Sequence, residues 1–328
     1  MRTSLAGMGT ALALVAGLAL ASPALAQSKM RIAFGDIASV ESLHLLVALE
    51  RAKEKGLDVQ LTTFKSEDLA AQAVVGGQAD VGIGGPYALM QKVKAPVRIF
   101  FQLSKLRFYP VVNADTYKTW KDLDGQEVAV HSRGSGTEAI MRLMADKQGI
   151  KYKTISYVPG SEVRAGALLQ GTVKASIVGA PEKRMLEEKA PGKFIFLSTG
   201  EVSASDDTLF ATTDYLKNNA AAVDILVEAL LQTWNDVAKN PGVVVEWRTK
   251  YKLLPDLPAN MASGITPYFT EIATSKALPV DGGNEAGVKD DLTFYSLAGQ
   301  LQGDPATLKV EDFWDLGPVT RAKAKLGL

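Results

Sequence analysis

One pattern occurs twice in this 328-residue chain, and the repetition constrains the fold more than any single motif. GQADVGIGG (residues 77–85) is echoed 94 residues later by GTVKASIVG (residues 171–179). Each copy is a glycine turn followed by a short apolar run that ends in glycine. Upstream, RIAFGD (residues 31–36) corresponds to EVAVHS (residues 127–132). The chain therefore consists of two related halves.

Hydrophobic periodicity and helix-boundary residues predict the same order of elements in both halves: strand, helix, strand, helix, strand. Helix-closing Gly56 corresponds to Gly149, and the helix-opening pair Ser66-Glu67 corresponds to Ser161-Glu162. Two such units predict two similar α/β lobes with a cleft between them that holds a small ligand. The predicted strands are 30–34, 59–64, 79–83, 97–103, 127–131, 153–157, 174–178 and 194–198, and the main predicted helices are 40–55, 137–147, 161–169 and 220–239.

The N-terminal segment predicts a cleavable signal peptide over residues 1–26. Arg2 precedes an apolar run at residues 5–20, and Ala24-Leu25-Ala26 forms an A-x-A cleavage site. The first lobe is then predicted to comprise residues 27–110 and 206–328, and the second lobe residues 111–205. The mature product is expected to be soluble in a periplasm.

Composition excludes several classes of protein. Without Arg2 the chain has 35 basic and 36 acidic residues, so no basic field favours nucleic acid or anionic lipid. The chain has no cysteine, which excludes disulfides, a cysteine nucleophile, zinc–thiolate sites and iron–sulfur sites. With two histidines, His44 and His131, a multi-histidine metal site is not expected. We predict no metal and no cofactor.

Parallel α/β units place ligand groups in the loops that follow the carboxyl ends of strands. This rule selects residues 35–41 and 84–87 in the first half, and 132–137 and 179–182 in the second. The sharpest segment is the loop Ser132-Arg133-Gly134-Ser135-Gly136-Thr137. Its small residues allow close backbone approach, its hydroxyls are donors, and a helix N-terminus that favours negative charge follows. The loop therefore predicts an anion site, with Arg133 as a planar partner for a carboxylate or sulfonate.

Other readings of these segments have less support. The loop also reads G-x-G-x-x-A over residues 134–139, but no ribose-binding acid ends the next predicted strand. Arg133 breaks any G-x-S-x-G pattern around Ser135, so no nucleophile elbow is predicted. Asp206-Asp207 could serve acid–base chemistry or a cation, but on a strand only one of the two would face the cleft. No catalytic residue is assigned.

At these residues the chain resembles the periplasmic solute-binding proteins of ABC importers, in the group with sulfonate-, taurine-, nitrate- and thiamine-precursor-binding members. The resemblance rests on GGQADVGIGGP, DLDGQEVAVHSRGSGTE, LLQGTVKASIVGAPE and KVEDFWDLGP. It implies a type II periplasmic binding protein, in which two crossover strands join two α/β lobes around a ligand cleft, and a membrane permease as partner. By position it implies a cleft lined by Ser39, Gly85, Tyr87, Ser132, Gly134, Ser135, Thr137, Gly179 and Asp206. The chain has Lys174 where the family often has Asp, as at Asp80, so that position is assigned to a turn.

We therefore predict a monomeric, non-enzymatic binding protein for a small organic anion, a sulfonate or a carboxylate that could be aromatic. The alternative within the class is a neutral or cationic heterocycle such as a thiamine precursor, held by Asp36, Glu41 or Asp206. The alternative from another class is an exported enzyme that uses the same cleft.

Overall fold

The computed structural model describes residues 28–328, so the predicted signal peptide lies outside the described residues. The strands are β1 (Ser28–Phe34), β2 (Leu57–Thr63), β3 (Val81–Gly84), β4 (Val97–Gln102), β5 (Tyr109–Asn113), β6 (Glu127–Val130), β7 (Thr154–Tyr157), β8 (Ala175–Val178), β9 (Phe194–Phe196) and β10 (Thr208–Thr212). The helices are α1 (Leu43–Glu54), α2 (Glu67–Val75), α3 (Tyr87–Val93), α4 (Gly136–Gln148), α5 (Ser161–Gln170), α6 (Ala180–Lys189), α7 (Thr213–Asn218), α8 (Ala220–Lys239), α9 (Val243–Tyr251), α10 (Ala259–Ala262), α11 (Ile265–Thr274), α12 (Glu285–Leu297) and α13 (Gly317–Leu326).

The strands form two five-stranded sheets with the same internal order. The first is β2-β1-β3-β10-β4 and the second is β7-β6-β8-β5-β9. In each sheet three parallel strands come from one copy of the repeated unit. The fourth strand, β10 or β5, is antiparallel to both of its neighbours. The predicted α/β class with two similar units is therefore confirmed.

The chain crosses twice between the sheets. β4 ends the run of strands in the first sheet, and β5, which follows it, lies in the second; β10 then returns to the first after β9. We call the first sheet with α1–α3 and α7–α13 lobe 1, and the second sheet with α4–α6 lobe 2. Residues 103–108 and 197–207 connect the lobes.

The core of lobe 1 forms where α8 packs against α1 and α13. Trp234 on α8 is fully buried, and its indole Nε1 donates a 3.0 Å hydrogen bond to the carbonyl of Leu103 in the first crossing. His44 on α1 packs on the ring of Trp234 with 4.3 Å between centroids. Burying an apolar side chain such as Leu or Phe in a core of this kind stabilises the fold by about 1.5–3 kcal/mol. No helix within residues 28–328 is long and apolar enough to cross a membrane.

Helix α4 shows how local sequence builds the edge of lobe 2 that faces lobe 1. Ser135 caps its N-terminus by accepting a 3.3 Å hydrogen bond from the backbone N–H of Glu138. At the other end, Gly149 adopts φ 62°, a left-handed conformation that glycine adopts without steric cost. The cap at Ser135 fixes the end of the short loop between β6 and α4.

Candidate functional site

A cavity of about 100 Å³ lies between the lobes, at the carboxyl ends of the parallel strands. Lobe 1 supplies the loop after β1, the start of α2 and one side of α11. Lobe 2 supplies the loop after β6 and the start of α5, and both crossings complete the wall. The side chains that line it include Phe34, Asp36, Ser39, Glu41, His44, Glu67, Ser104, Lys105, Arg107, Phe108, His131, Ser135, Thr137, Arg164, Asp206, Asp207 and Tyr268.

Five carboxyl groups line this cavity, and all belong to lobe 1 or to a crossing. Burial, with the nearby charge of Asp207, raises the pKa of Glu67 to about 8. Burial, with the charge of Asp36, raises the pKa of Asp207 to about 7. Burial and neighbouring carboxylates also hold the pKa values of Glu41 and Asp206 well above their ordinary range. The cavity is thus a place where negative charge is crowded and poorly hydrated.

Of the three Lys and Arg side chains in the wall, Arg164 and Arg107 are engaged by other groups of the protein, whereas Lys105 forms no ion pair among the described residues. Arg164 is 1% exposed, and its Nε and Nη1 donate to the carbonyls of Ile177 (2.8 Å) and Val158 (2.9 Å). Burial lowers the pKa of Arg164, while four nearby carboxyl groups oppose that effect. Arg107 pairs through its guanidinium with Glu271 on α11.

Direct contacts across the interface hold the lobes together. Nε2 of His131 in lobe 2 lies 3.0 Å from the carbonyl oxygen of Gly35 in lobe 1. Its Nδ1 accepts from the backbone N–H of Gly160 at 3.2 Å, so the neutral ring carries its proton on Nε2. Burial lowers the pKa of His131, which favours this neutral form. The cleft is therefore closed.

Four of the predicted site residues line the cavity: Ser39, Ser135, Thr137 and Asp206. The Ser135 hydroxyl donates to the carbonyl of Ser132 (2.8 Å) and lies 2.8 Å from Thr137 Oγ1. Thr137 Oγ1 also accepts from the backbone N–H of His131 at 3.0 Å. These hydroxyls therefore hold their own loop in shape as well as facing the cavity.

Three other residues of the predicted anion loop lie outside the cavity wall. Ser132 is buried, and its hydroxyl has no hydrogen-bond partner within the described residues. Arg133 is exposed, with its guanidinium 5.2 Å from the ring centroid of Tyr157. Gly134 donates its N–H to Glu138 Oε2 at 2.6 Å. Since a carboxylate of the chain already occupies that donor, the loop offers less to an outside anion than its sequence predicts.

The remaining three predicted residues have other surroundings. Gly85 donates its N–H to Glu67 Oε2 at 2.9 Å and lines a separate groove with Arg133 and Gly134. Gly179 donates its N–H to Ser161 Oγ at 2.7 Å and faces the carboxyl group of Glu41 across the interface. Tyr87 is fully buried, bonded to Asp291 and Trp314 in lobe 1, and the structure does not bring it to the cavity.

Sequence reasoning missed Arg164, Glu67 and the joint role of Asp206-Asp207. Ser161, Arg164, Ala165 and Leu168 form the buried stripe of α5, so an arginine at the i+3 position of that stripe was the available signal. The expectation that only one of Asp206 and Asp207 faces the cleft was wrong. Both line the cavity, because they precede β10 and do not share the alternation of a strand.

The sequence model of the family described as "NMT1/THI5 like" matches residues 41–243, more than half of the chain. The chain belongs to this family. The matched span runs from Glu41, near the end of the β1–α1 loop, to Val243 at the start of α9. It covers most of the elements that surround the cavity, including the whole of lobe 2.

Solved structures similar to this NMT1/THI5-like protein share its fold. A protein of Bordetella bronchiseptica RB50 is 22% identical with a TM-score of 0.73, covering 92% of this chain and 98% of that one. The periplasmic nitrate-binding protein NrtA from Synechocystis PCC 6803 is 15% identical with a TM-score of 0.66, covering 91% and 89%. The alkanesulfonate-binding protein SsuA from Xanthomonas axonopodis pv. citri, bound to MOPS, is 14% identical with a TM-score of 0.61, covering 88% and 98%.

The resemblance found in the sequence is thus confirmed, as is the periplasmic binding protein fold it implied. A curated relative from Brucella abortus (strain 2308), whose name describes a candidate binding protein, is 24% identical over 207 residues. That alignment covers 61% of this chain, and the chain spans 63% of the length of the curated relatives it matches.

Proposed function

We propose that this protein is the periplasmic solute-binding component of an ABC importer and that its ligand is a small nitrogen-containing organic cation. The crowding of five carboxyl groups around the interlobe cavity carries this proposal. A permease is its partner, and the cycle consists of binding, closure and release with no bond made or broken. The names of the nitrate- and sulfonate-binding proteins of the same fold support the transport class.

Charge favours a cation over the organic anion predicted from the sequence. Glu41 and Glu67 approach the cavity from lobe 1, and Asp206 and Asp207 approach it from the second crossing. Two unit charges about 4 Å apart interact with about 4 kcal/mol at an effective dielectric constant of 20. A cation among these groups gains attraction from several of them and removes their mutual repulsion. An anion would add to the repulsion.

The rest of the wall fits a compact, flat ligand. Phe34, Phe108 and Tyr268 provide apolar surface, and Ser39 and Ser104 provide hydroxyls. Aromatic faces attract organic cations, and hydroxyls accept hydrogen bonds from ring or exocyclic N–H groups. A protonated aromatic amidine or aminopyrimidine combines these properties within a small volume.

Carboxyl groups on the two lobes also suggest how a ligand would favour closure of the cleft. Lobe 2 brings Glu162 and Glu182 near the carboxyl groups of lobe 1, and the pKa of Glu41 is raised partly by Glu182. Like charges on two approaching faces oppose closure unless protons or a cation lie among them. A cation bound first to lobe 1 therefore shifts the population toward the closed form.

A matched pair of probes tests the proposal. Benzamidinium and benzoate have nearly the same shape and opposite charge, so their comparison isolates the sign of the charge. We expect benzamidinium or an aminopyrimidine to raise the melting temperature of the wild-type protein, because a ligand that binds only the folded state adds stability by mass action. Calorimetry should then show weaker binding by Glu41→Gln and by Asp207→Asn.

Ethanesulfonate and benzoate represent the alternative class of ligand, small organic anions. If they stabilise the wild-type protein and the cations do not, the ligand is an anion and our assignment is wrong. Chemical turnover of any bound probe, followed by mass spectrometry, would contradict the transport role itself.

A further inference from the structure

Glu271 on α11 contacts two arginines from different parts of the molecule. Its Oε2 lies 2.6 Å from Nη1 of Arg184, which belongs to α6 in lobe 2. Its Oε1 pairs closely with Nη2 of Arg107 in the first crossing. The three side chains are 29–31% exposed, so the group lies at the edge of the interface. One carboxylate of lobe 1 thus connects both lobes and a crossing.

Arg107 is the member of this group that also lines the cavity. Its other donors are also engaged: Nη1 contacts Ser275 Oγ at the end of α11, and Nε lies 3.4 Å from Tyr109 Oη on β5. The guanidinium is therefore drawn toward α11 with its charge balanced there. Without Glu271, the guanidinium of Arg107 would become an unpaired positive charge at the cavity wall.

Arg184 makes the contact that spans the lobes. α6 carries it in lobe 2, and α11 also supplies Tyr268 and Ile272 to the cavity wall from lobe 1. Opening the cleft would separate α6 from α11 and break the Arg184–Glu271 pair. Because this pair forms only when the lobes meet, its free energy belongs to the closed state alone.

We propose that Glu271 is a specificity-determining residue that fastens the closed lobes through Arg184 and excludes anions by holding Arg107 away from the ligand. The part on ligand charge rests on the proposed function, and the part on closure does not. Partly exposed ion pairs contribute modestly and weaken with salt, so both effects should be largest at low ionic strength.

The closure part is tested without ligand. Since the chain has no cysteine, K65C and K153C introduce one spin-label site on each lobe, both at exposed positions. Pulsed electron paramagnetic resonance then gives the distribution of interlobe distances. We expect R184Q and E271Q each to shift the distribution toward longer distances at low salt. D224N is the matched control, because its 2.7 Å pair with Arg321 lies within lobe 1. Unchanged distributions in R184Q and E271Q would overturn this part.

The part of the proposal on ligand charge is tested by comparing two variants that both lose the Arg184–Glu271 pair. R184Q keeps the Arg107–Glu271 pair, whereas E271Q also releases Arg107. We expect E271Q to bind benzoate about three- to tenfold more tightly than R184Q, and R107Q combined with E271Q to lose that gain. Equal benzoate affinities in R184Q and E271Q would overturn the charge part. This comparison is between variants, so it remains decisive even if the wild-type protein prefers anions.

Discussion

The positions of Arg164 and Tyr87 are the opposite of those expected from the chemistry of their side chains. Arg164, a charged residue, is fully buried on α5 and reaches the cavity, whereas Tyr87, an aromatic residue at a strand exit, lies in the core of lobe 1. The Tyr87 hydroxyl donates to Asp291 Oδ2 (2.5 Å) and accepts from Trp314 Nε1 (2.9 Å). Its partners are 204 and 227 residues away, a separation that no local pattern reveals.

Tyr87→Phe separates a structural role from a ligand role. The variant leaves Asp291 and Trp314 each without one buried partner, so we expect the free energy of unfolding to fall by about 1–3 kcal/mol. Benzamidinium affinity should not change, because Tyr87 does not line the cavity. Urea denaturation and calorimetry measure the two quantities. Tyr251→Phe is the control, since its hydroxyl bonds Glu54 and Lys250 at the surface. A loss of ligand binding with unchanged stability would mean that Tyr87 acts in ligand binding and not in the core.

At the scale of elements, the repeat was predictable from sequence because it depends on local signals. Apolar alternation, helix-opening Ser-Glu pairs and closing glycines lie within a few residues of the elements they define. The predicted helix at 220–239 coincides with α8 (Ala220–Lys239). Which side chains line the cavity, in contrast, depends on contacts between elements that are distant in the sequence. Glu67, which the sequence places only in the first turn of a helix, becomes a wall residue through its bond to Gly85.

The N-terminus of α6 provides a test of the interface between lobes. Gly179 has φ −76°, a conformation open to alanine, but a Cβ there would lie 2.4 Å from Glu41 Oε1 in the opposite lobe. Its three nearest atoms all belong to Glu41, so the clash exists only in the closed form. We expect Gly179→Ala to weaken benzamidinium about three- to tenfold, with the free energy of unfolding changed by less than about 0.5 kcal/mol.

Gly166→Ala is the matched control on α5, because a Cβ there meets no atom within 4 Å. It should leave ligand affinity unchanged and stabilise the helix slightly. Equal affinities in Gly179→Ala and Gly166→Ala would show that Glu41 moves aside without affecting the ligand.

For the whole molecule, the carboxyl cluster links pH to stability and to binding. Glu67 and Asp207 have ordinary pKa values of 4.5 and 3.8, which the closed fold raises to about 8 and about 7. The folded state therefore holds more protons than the unfolded state between these limits, and its stability falls as pH rises. Below about pH 6.5 the buried His44 and His131, whose pKa values are lowered, act in the opposite direction. The effect of the carboxyl groups is clearest above the ordinary histidine pKa.

We therefore expect the ligand-free protein to lose on the order of 2–3 kcal/mol of unfolding free energy between pH 6.5 and 8, since one pKa unit corresponds to about 1.36 kcal/mol. Benzamidinium affinity should rise over the same interval, because the cation replaces protons that the empty cluster must release. Urea denaturation and calorimetry at matched ionic strength measure both trends. Glu67→Gln combined with Asp207→Asn should flatten them. Stability that is constant or rises across this interval in the wild-type protein would mean that the carboxyl groups are ionised without a cation, and that their charge is balanced within the protein itself.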